Sequence, residues 1–390
     1  MYQPAVSVHQ LRIAVAVLSL ALFVQTSFWL VYDAAVRGLP DAWEMWTTGW
    51  VPGLSATSSL DLGLAALQLA AGIAAFRGTR GAGGLLVTAC AVTLGFRLPA
   101  VWYFLLNSPD DPWFGSLKGP SVNAVGGSAV LAVALALILG VLLLLARHIE
   151  YEAAAADGTP AGRIRPVKVT ATTSGVLLGV LNVFYICRNT VTAFQVGPSV
   201  LGDLLVGKGT GRAILGVSTP YQWACLTLLC GAGMLLAARR RPVATGFSTG
   251  LSLFMMPPAL TDLWAYVQDA MGQTLVDGSQ HVLEFVGSAA VVALTVGDVR
   301  RDRRPAVIAA DNLVEGGPAP VPAAVAAAPA GTAGTTATAE ATVTASATAA
   351  TAAPDAGVPA PRRAASEPAV SEDAEDAEDA EPAASEPAEA

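Results

Sequence analysis

Eight long apolar stretches, separated by loops that alternate between Arg-rich and Arg-poor, dominate the first 304 residues. Each stretch is roughly 18–25 residues long, which is enough for a helix to span a bilayer. The sequence therefore predicts an all-α polytopic membrane protein with the lipid bilayer as its main partner. The predicted helices cover residues 11–32, 60–76, 84–106, 122–146, 172–195, 218–238, 245–267 and 280–298. The first stretch stays apolar as far as Tyr32, too long for the core of a signal peptide, and is predicted to be a retained membrane helix.

The basic residues predict the orientation, because loops rich in Lys and Arg stay in the cytoplasm. One side carries fourteen of them, Arg12, Arg77, Arg80, Arg147, Arg163, Arg165, Lys168, Arg239, Arg240, Arg241, Arg300, Arg301, Arg303 and Arg304. The other side carries only Arg37, Lys118, Lys208 and Arg212. We therefore expect an inner-membrane location with both termini in the cytoplasm. Tryptophans in the outer loops agree, since indole rings favour the headgroup level. They are Trp43, Trp46, Trp50 and Trp113, and the first three have the spacing of one face of a short helix.

The two halves of the membrane region resemble each other at an offset of 162 residues. The run Arg77 to Trp102 then matches Arg239 to Trp264, and Thr57 falls on Thr219. This self-similarity predicts two four-helix repeats, at about residues 1–150 and 165–304. Because each repeat has an even number of helices, both would enter the membrane from the same side as parallel repeats. A binding pocket would then be expected at the interface between the repeats.

Charged residues within the predicted helices are the strongest functional signal. They are Arg97, Arg188, Asp262 and Glu284, together with Asp61 at the outer end of the second helix. A charge at the centre of a bilayer costs at least about 2.5–3.5 kcal/mol, so these side chains should face the bundle interior. We expect Arg97 to pair with a carboxylate of the second half, with Asp262 the first choice and Glu284 the second. Arg188 is expected to pair with another of the carboxylates.

Two interpretations of these charges stay open. They could form ion pairs that only fix helix packing, or a network that also lines a ligand or ion site. Aromatic residues beside the charges, Trp102 and Trp264, are added to the candidate ligand site. Prolines at Pro99 in the third helix and at 257–258 in the seventh are expected to kink those helices and free backbone carbonyls.

The segment 305–390 is a different kind of sequence. It holds two basic and fourteen acidic residues in an Ala, Pro and Thr background, whereas residues 1–304 carry 20 basic and 16 acidic ones. Such a segment cannot bury enough apolar surface to offset its ordering entropy. We expect a disordered cytoplasmic tail that the membrane domain does not need for folding.

Several classes of function are excluded by what the sequence lacks. Its histidines are His9, His148 and His281, and its four cysteines lack metal-ligand spacing, so neither a cofactor nor a metal site is predicted. A Gly-x-Ser-x-Gly motif at 246–250 lies on the membrane side opposite His281, so no catalytic site is predicted. No basic, aromatic face for nucleic acid is present.

The best-supported functional hypothesis is an integral inner-membrane protein that transports or binds a small molecule or ion. Its ligand would enter an outward-facing polar cavity between the repeats. The alternative is a sensory or scaffold protein whose acidic tail recruits a basic cytoplasmic partner. The two hypotheses differ in whether the intramembrane charges or the tail carry the activity.

Overall fold

A computed structural model gives the fold and describes the backbone of residues 8–48, 55–79, 81–106, 120–156, 168–206, 213–268 and 274–314. In these ranges the chain forms ten α-helices and no strand. The predicted outer-loop tryptophans Trp50 and Trp113, and the predicted tail from residue 315 onward, lie outside the described residues.

Eight of the ten helices match the predicted long helices. Their bounds are α1 Val8–Arg37, α3 Ser59–Phe76, α4 Ala82–Leu106, α5 Pro120–Ala156, α6 Lys168–Val196, α8 Thr219–Ala238, α9 Ala244–Val267 and α10 Leu275–Val314. The other two are short, α2 Leu39–Thr48 and α7 Pro198–Val206. α2 carries Trp43 and Trp46, as their spacing predicted. α7 occupies part of a stretch in which the sequence predicted only a loop.

Seven of the long helices are long and apolar enough to cross a membrane: α1, α3, α4, α5, α6, α8 and α10. The remaining one, α9, has 24 residues, but glycine, serine, threonine and proline lower its hydropathy. α9 packs against α3, α4 and α10 and buries more than half of its residues. A helix surrounded by protein does not need an apolar surface toward lipid, which explains its composition.

The closest helix approaches involve glycines of α3, α4 and α9. A Cβ added to Gly84 would lie 2.5 Å from the carbonyl oxygen of Val243, and one added to Gly246 would lie 2.1 Å from that of Gly81. The start of α9 therefore lies directly against the start of α4. Small residues let two membrane helices approach to backbone contact.

The helices of the two halves follow one another in the same order. In the first half, residues 8–156, the helices α1 to α5 have 30, 10, 18, 25 and 37 residues. In the second half, residues 168–314, the helices α6 to α10 have 29, 9, 20, 24 and 40. A glycine with positive φ separates the first two helices of each half, Gly38 at +88° and Gly197 at +82°.

Two non-helical segments join the halves. Residues 55–58 precede α3 and residues 213–218 precede α8, and we call them the paired segments. Ser55 and Ala213 form a parallel bridge, in which Ile214 N donates to Ser55 O at 2.9 Å. Leu215 N donates to Ala56 O at 3.0 Å in the next step. The paired segments therefore hold the starts of α3 and α8 side by side.

Prolines lie inside α4 and α9, as the sequence predicted. Pro99 cannot donate to the carbonyl of Gly95, and Tyr221 Oη of α8 donates to that oxygen at 2.7 Å. Pro258 leaves the carbonyl of Phe254 without its helical partner in the same way. Gly63 of α3 packs against that oxygen, because a Cβ at this glycine would come within 2.0 Å of it.

The last helix continues past the predicted end of the membrane domain. The sequence placed that boundary at residue 304, before Pro305, whereas α10 runs as far as Val314. The first ten residues of the predicted tail are thus helical in the structure.

Candidate functional site

A polar cavity of about 340 Å³ lies where the paired segments meet the ends of α2, α6 and α9 and the starts of α3, α8 and α10. Its charged and amide-bearing walls come from the second half. Those residues are Arg188, Gln222, Asp262, Asp277, Gln280, His281 and Glu284. The first half contributes mainly hydroxyl groups, from Ser55, Thr57, Ser58 and Ser59. The structure therefore brings three of the predicted site residues, Arg188, Asp262 and Glu284, into one cavity.

Arg188 of α6 is held from two sides. Its Nη2 lies 2.6 Å from Asp277 Oδ1, and its Cζ lies 4.7 Å from the centre of the Trp223 ring. The other carboxylate oxygen of Asp277 accepts bonds from Thr274 N at 3.0 Å and Thr274 Oγ1 at 2.6 Å, which cap the start of α10. The predicted pairing of Arg188 with a carboxylate is thus seen, but Asp277 was not among the candidate partners. The guanidinium has a fixed place in the wall.

Glu284 lies deeper, with 7% of its surface exposed. Its Oε1 accepts hydrogen bonds from Tyr185 Oη at 2.6 Å and from Gln280 Nε2 at 2.9 Å. Its Oε2 lies 3.7 Å from His281 Nδ1, and Asp262 Oδ2 lies 3.7 Å from the same nitrogen. That Nδ1 is buried and makes no hydrogen bond in the structure. Two carboxylate oxygens therefore face one imidazole nitrogen across gaps too wide for a hydrogen bond.

The prediction for Arg97 is wrong. Its Nη2 pairs with Asp61 Oδ1 of the same half rather than with Asp262 or Glu284. Its Nη1 also donates to Leu215 O at 3.4 Å, so Arg97 holds one of the paired segments. The physical reason is local: the first turn of α3 lies beside the middle of α4, so Asp61 meets the guanidinium directly. Asp262 and Glu284 instead face His281.

Asp61 also caps the start of α3. Its Oδ2 accepts bonds from Ser58 N at 2.7 Å and Ser58 Oγ at 3.2 Å, which completes a capping box. Asp61 and Arg97 each expose only about 1% of their surface, and neither lines the polar cavity. The Arg97 and Asp61 pair therefore supports the cavity wall instead of facing a ligand.

Asp33 is a functional support that the sequence prediction missed. It lies near the end of α1, 3% exposed, and accepts bonds from Ala56 N at 3.1 Å, Thr57 N at 2.8 Å and Thr57 Oγ1 at 2.5 Å. These bonds fix one of the paired segments. Asp33 falls one residue beyond the predicted end of the first helix. It was therefore treated as a loop residue and not as a charge within a membrane helix. An acidic residue directly after a long apolar stretch was the available signal.

The two tryptophans predicted for the site do not line the polar cavity. Trp102 packs edge-on against Tyr221 with ring centres 6.3 Å apart. Trp264 is 48% exposed and lies against Trp43, also at 6.3 Å. The cavity is instead lined by Trp46 and Trp223. Trp46 Nε1 donates to Thr57 Oγ1 at 3.2 Å, which ties α2 to a paired segment.

Comparison with protein-family models, with curated proteins and with solved structures found no match. Among the described residues, no group of three or more His, Cys, Asp or Glu side chains is arranged to hold a metal ion. The geometry of the polar cavity is thus the basis for any functional proposal.

Proposed function

We propose that this chain is an eight-span inner-membrane protein whose polar cavity binds a small polar ligand from the outer side of the membrane. The observation that carries the proposal is the cavity itself. Ionisable side chains of α6, α9 and α10 and hydroxyl groups of the first half surround one space of about 340 Å³. That volume lies at the lower end of the range for small-molecule sites. Ionisable residues inside membrane helices are costly and mark ligand or ion sites.

We propose α9 as the eighth span because it runs the full length of the bundle. Its 24 residues would extend about 36 Å as a helix. Near its start, Phe247 O accepts a bond from Thr88 Oγ1 at 3.2 Å, close to the start of α4. Near its end, Asp262 faces His281 in the second turn of α10. With α9 counted as the eighth span, the number of crossings is even, and we propose that both chain ends lie on the same side of the membrane.

The orientation in the proposal comes from the charges. The Arg-rich helix ends lie at the start of α1, between α3 and α4, between α5 and α6, between α8 and α9, and in the last part of α10. The polar cavity lies at the opposite helix ends. If basic segments stay in the cytoplasm, the cavity faces outward.

The proposed repeats are supported by the order and lengths of the helices. Each half has a long helix, a glycine with positive φ, a short helix, a non-helical segment and then three long helices. The paired segments are the corresponding parts of the two halves. The polar cavity would then lie at the interface between two parallel repeats, where such proteins place their substrates.

The alternative function, a scaffold whose acidic tail recruits a basic cytoplasmic partner, rests on the composition of residues 305–390 alone. The two proposals differ in what they require. A ligand-binding protein loses activity when cavity charges are neutralised, and a scaffold loses it when the tail is removed.

The test is a ligand screen on the purified full-length chain. We would measure thermal unfolding in detergent with a panel of small cationic, anionic, zwitterionic and neutral polar compounds. We expect at least one compound to raise the melting temperature of the wild type, since ligands that bind only the folded state stabilise it. The effect should disappear in Asp262→Asn and persist in Asp203→Asn. Asp203 is an exposed carboxylate of α7 that does not line the cavity. A panel without any stabilising compound would contradict the proposed function.

A further inference from the structure

We propose that this chain binds the phosphate group of an anionic lipid at the end of the bundle that lies opposite the polar cavity. Five exposed arginines form this site, which we call the arginine surface: Arg12, Arg77, Arg239, Arg240 and Arg241. One lies near the start of α1, one directly follows α3, and three directly follow α8. The polar cavity lies at the other ends of α3 and α8. The inference is therefore independent of the ligand proposed for the cavity.

The segments that follow α3 and α8 lie side by side. They lead into α4 and α9, and the starts of these two helices are in contact. A Cβ added to Gly81 would lie 3.5 Å from Gly246 Cα, and one added to Gly84 would lie 2.5 Å from Val243 O. The arginines that precede these contacts therefore belong to one surface, although they are distant in sequence.

Arg240 has a backbone conformation that an arginine rarely adopts. Its φ is +45°, and Arg239 before it caps the end of α8. At the same place after α3, Gly78 follows the cap Arg77 and has a φ of +59°. Glycine is the usual residue at this position, because the left-handed region brings a Cβ too close to the backbone. The chain thus keeps an arginine where glycine is favoured, and such strain points to a role for the side chain.

Arg12 places a guanidinium at the equivalent point of the first half. A Cβ added to Gly78 would lie 2.5 Å from Arg12 Nη1 and 3.1 Å from Arg12 Cζ, so the guanidinium lies against this glycine. Arg12 therefore provides beside Gly78 the group that Arg240 carries on its own side chain. A guanidinium presents a planar fork of N–H donors, which matches the oxygens of a phosphate.

The charge of the arginine surface favours an anion. Residues 1–12, 77–81 and 239–243 together contain six arginines, and their sequence contains no aspartate or glutamate. The sixth, Arg80, lies outside the described residues. Clusters of like charge attract ligands of the opposite sign, and basic clusters at the ends of membrane helices recognise anionic headgroups.

The neighbouring side chains favour a lipid over a soluble anion. Phe76 directly precedes Arg77 and is 46% exposed, and Leu235 lies one turn before Arg239 and is 53% exposed. Both belong to helices that are long and apolar enough to cross a membrane. The arginines therefore lie where an apolar helix surface ends, which is the level of the headgroups. A lipid phosphate would bind the guanidinium groups while its acyl chains pack against Phe76 and Leu235.

Two lipids with the same acyl chains test the proposal: dioleoylphosphatidylglycerol, which is anionic, and dioleoylphosphatidylcholine, which is zwitterionic. We would measure their binding to the full-length protein in a neutral detergent by native mass spectrometry. We expect the anionic lipid to bind at least about fivefold more tightly, since each basic residue near a headgroup contributes about that factor. Inorganic phosphate, added as a soluble competitor at the same concentration as the lipid, should not displace it.

Arg240→Gly is the most informative variant. It should weaken binding of the anionic lipid about fivefold. Its melting temperature without lipid should equal or exceed that of the wild type, because glycine adopts this φ without strain. Arg12→Gln should weaken lipid binding in the same way without changing a residue of the segment after α8. The matched control Arg147→Gln removes an exposed arginine near the end of α5 and should bind the lipid like the wild type.

Three results would overturn the proposal. Equal affinity for the two lipids would show that the headgroup charge is not recognised. An equal loss in Arg147→Gln and Arg240→Gly would assign the binding to the total charge of this end of the bundle. Displacement of the lipid by an equal concentration of inorganic phosphate would make the ligand a soluble anion. Since the arginine surface lies away from the polar cavity, these results leave the proposed function to its own test.

Discussion

At the scale of single residues, sequence reasoning found the charges but not all of their partners. Arg97, Asp61, Arg188, Asp262 and Glu284 were all identified because charges inside apolar helices are costly. Which carboxylate meets which guanidinium depends on the rotation of each helix about its axis, and hydropathy does not fix that rotation. The predicted partners of Arg97, Asp262 and Glu284, are therefore wrong. Asp277 and Asp33 were missed because they lie at helix ends, where charged residues are common.

The buried pair of Arg97 and Asp61 leads to the first prediction. Arg97→Ala should destabilise the folded state by about 3–5 kcal/mol, because it leaves Asp61 buried without its counter-charge. We would measure this by thermal or denaturant unfolding in detergent. Arg188→Ala serves as the control and should cost less, because Arg188 and Asp277 are partly exposed, at 29% and 19% of their side-chain surfaces.

The same pair predicts strong coupling between the two positions. Once Arg97 is replaced by Ala, Asp61→Asn should add little further loss, since the stranded charge is then removed. Additive effects of the two substitutions would contradict a direct pair. The swap of Arg97 with Asp262, in contrast, is expected to give no rescue.

A second residue-scale prediction concerns the carbonyl that Pro99 leaves free. Tyr221→Phe removes the hydroxyl that donates to Gly95 O. We expect a loss of about 1–3 kcal/mol in unfolding free energy, because Gly95 O then keeps only the weak donor Cys225 Sγ, at 4.0 Å. Tyr32→Phe is the matched control, because Tyr32 is 41% exposed. Equal melting temperatures for the Tyr221 variant and the wild type would show that this bond does not contribute to stability.

At the scale of helices, length and hydropathy predicted all eight long helices. Their ends were less well predicted: α1 extends from Val8 to Arg37 instead of 11–32, and α10 extends to Val314 instead of residue 298. Hydropathy detects the apolar middle of a helix, and polar extensions beyond it leave no such signal. α7 was missed for a related reason, since nine residues with glycine are too few for a periodic pattern.

Helix packing predicts opposite effects for two adjacent glycines of α4. Gly84→Ala should destabilise the protein by about 1–3 kcal/mol, because its Cβ would lie 2.5 Å from Val243 O of the backbone before α9. Gly83→Ala should be neutral or stabilising by up to about 1 kcal/mol, since a Cβ there meets no atom within 4 Å and alanine favours the helix. Unfolding measurements of the two variants check this. A neutral Gly84→Ala would show that α4 and α9 do not touch as described.

At the scale of the whole molecule, the lengths of the apolar stretches predicted the fold class. The arrangement of the helices relative to one another could be seen only in the structure. The shared offset between Arg77 to Trp102 and Arg239 to Trp264 suggested two similar halves. It did not predict that residues 55–58 and 213–218 would run side by side and form the cavity rim. That contact depends on backbone hydrogen bonds between segments distant in sequence, which composition does not encode.

The tail gives a prediction at this scale. Truncation after Val314 should leave the detergent melting temperature nearly unchanged, because residues 315–390 are too rich in Ala, Pro and acidic residues to bury an apolar core. Truncation after Gly297 is the comparison and should destabilise the protein, since it removes the end of α10. A fall of many degrees on truncation after Val314 would mean that the tail packs against the membrane domain.

We propose that the polar cavity, which both halves line, opens to the outer side of the membrane. Cysteine labelling in intact cells tests it most directly, in a Cys187→Ala background that removes the exposed native thiol. We expect Thr219→Cys, in the cavity wall, to react with a membrane-impermeant thiol reagent, and Ala155→Cys near the end of α5 to react only after the cells are opened. Labelling of Ala155→Cys in intact cells, with Thr219→Cys protected until lysis, would show that the cavity opens to the cytoplasm instead.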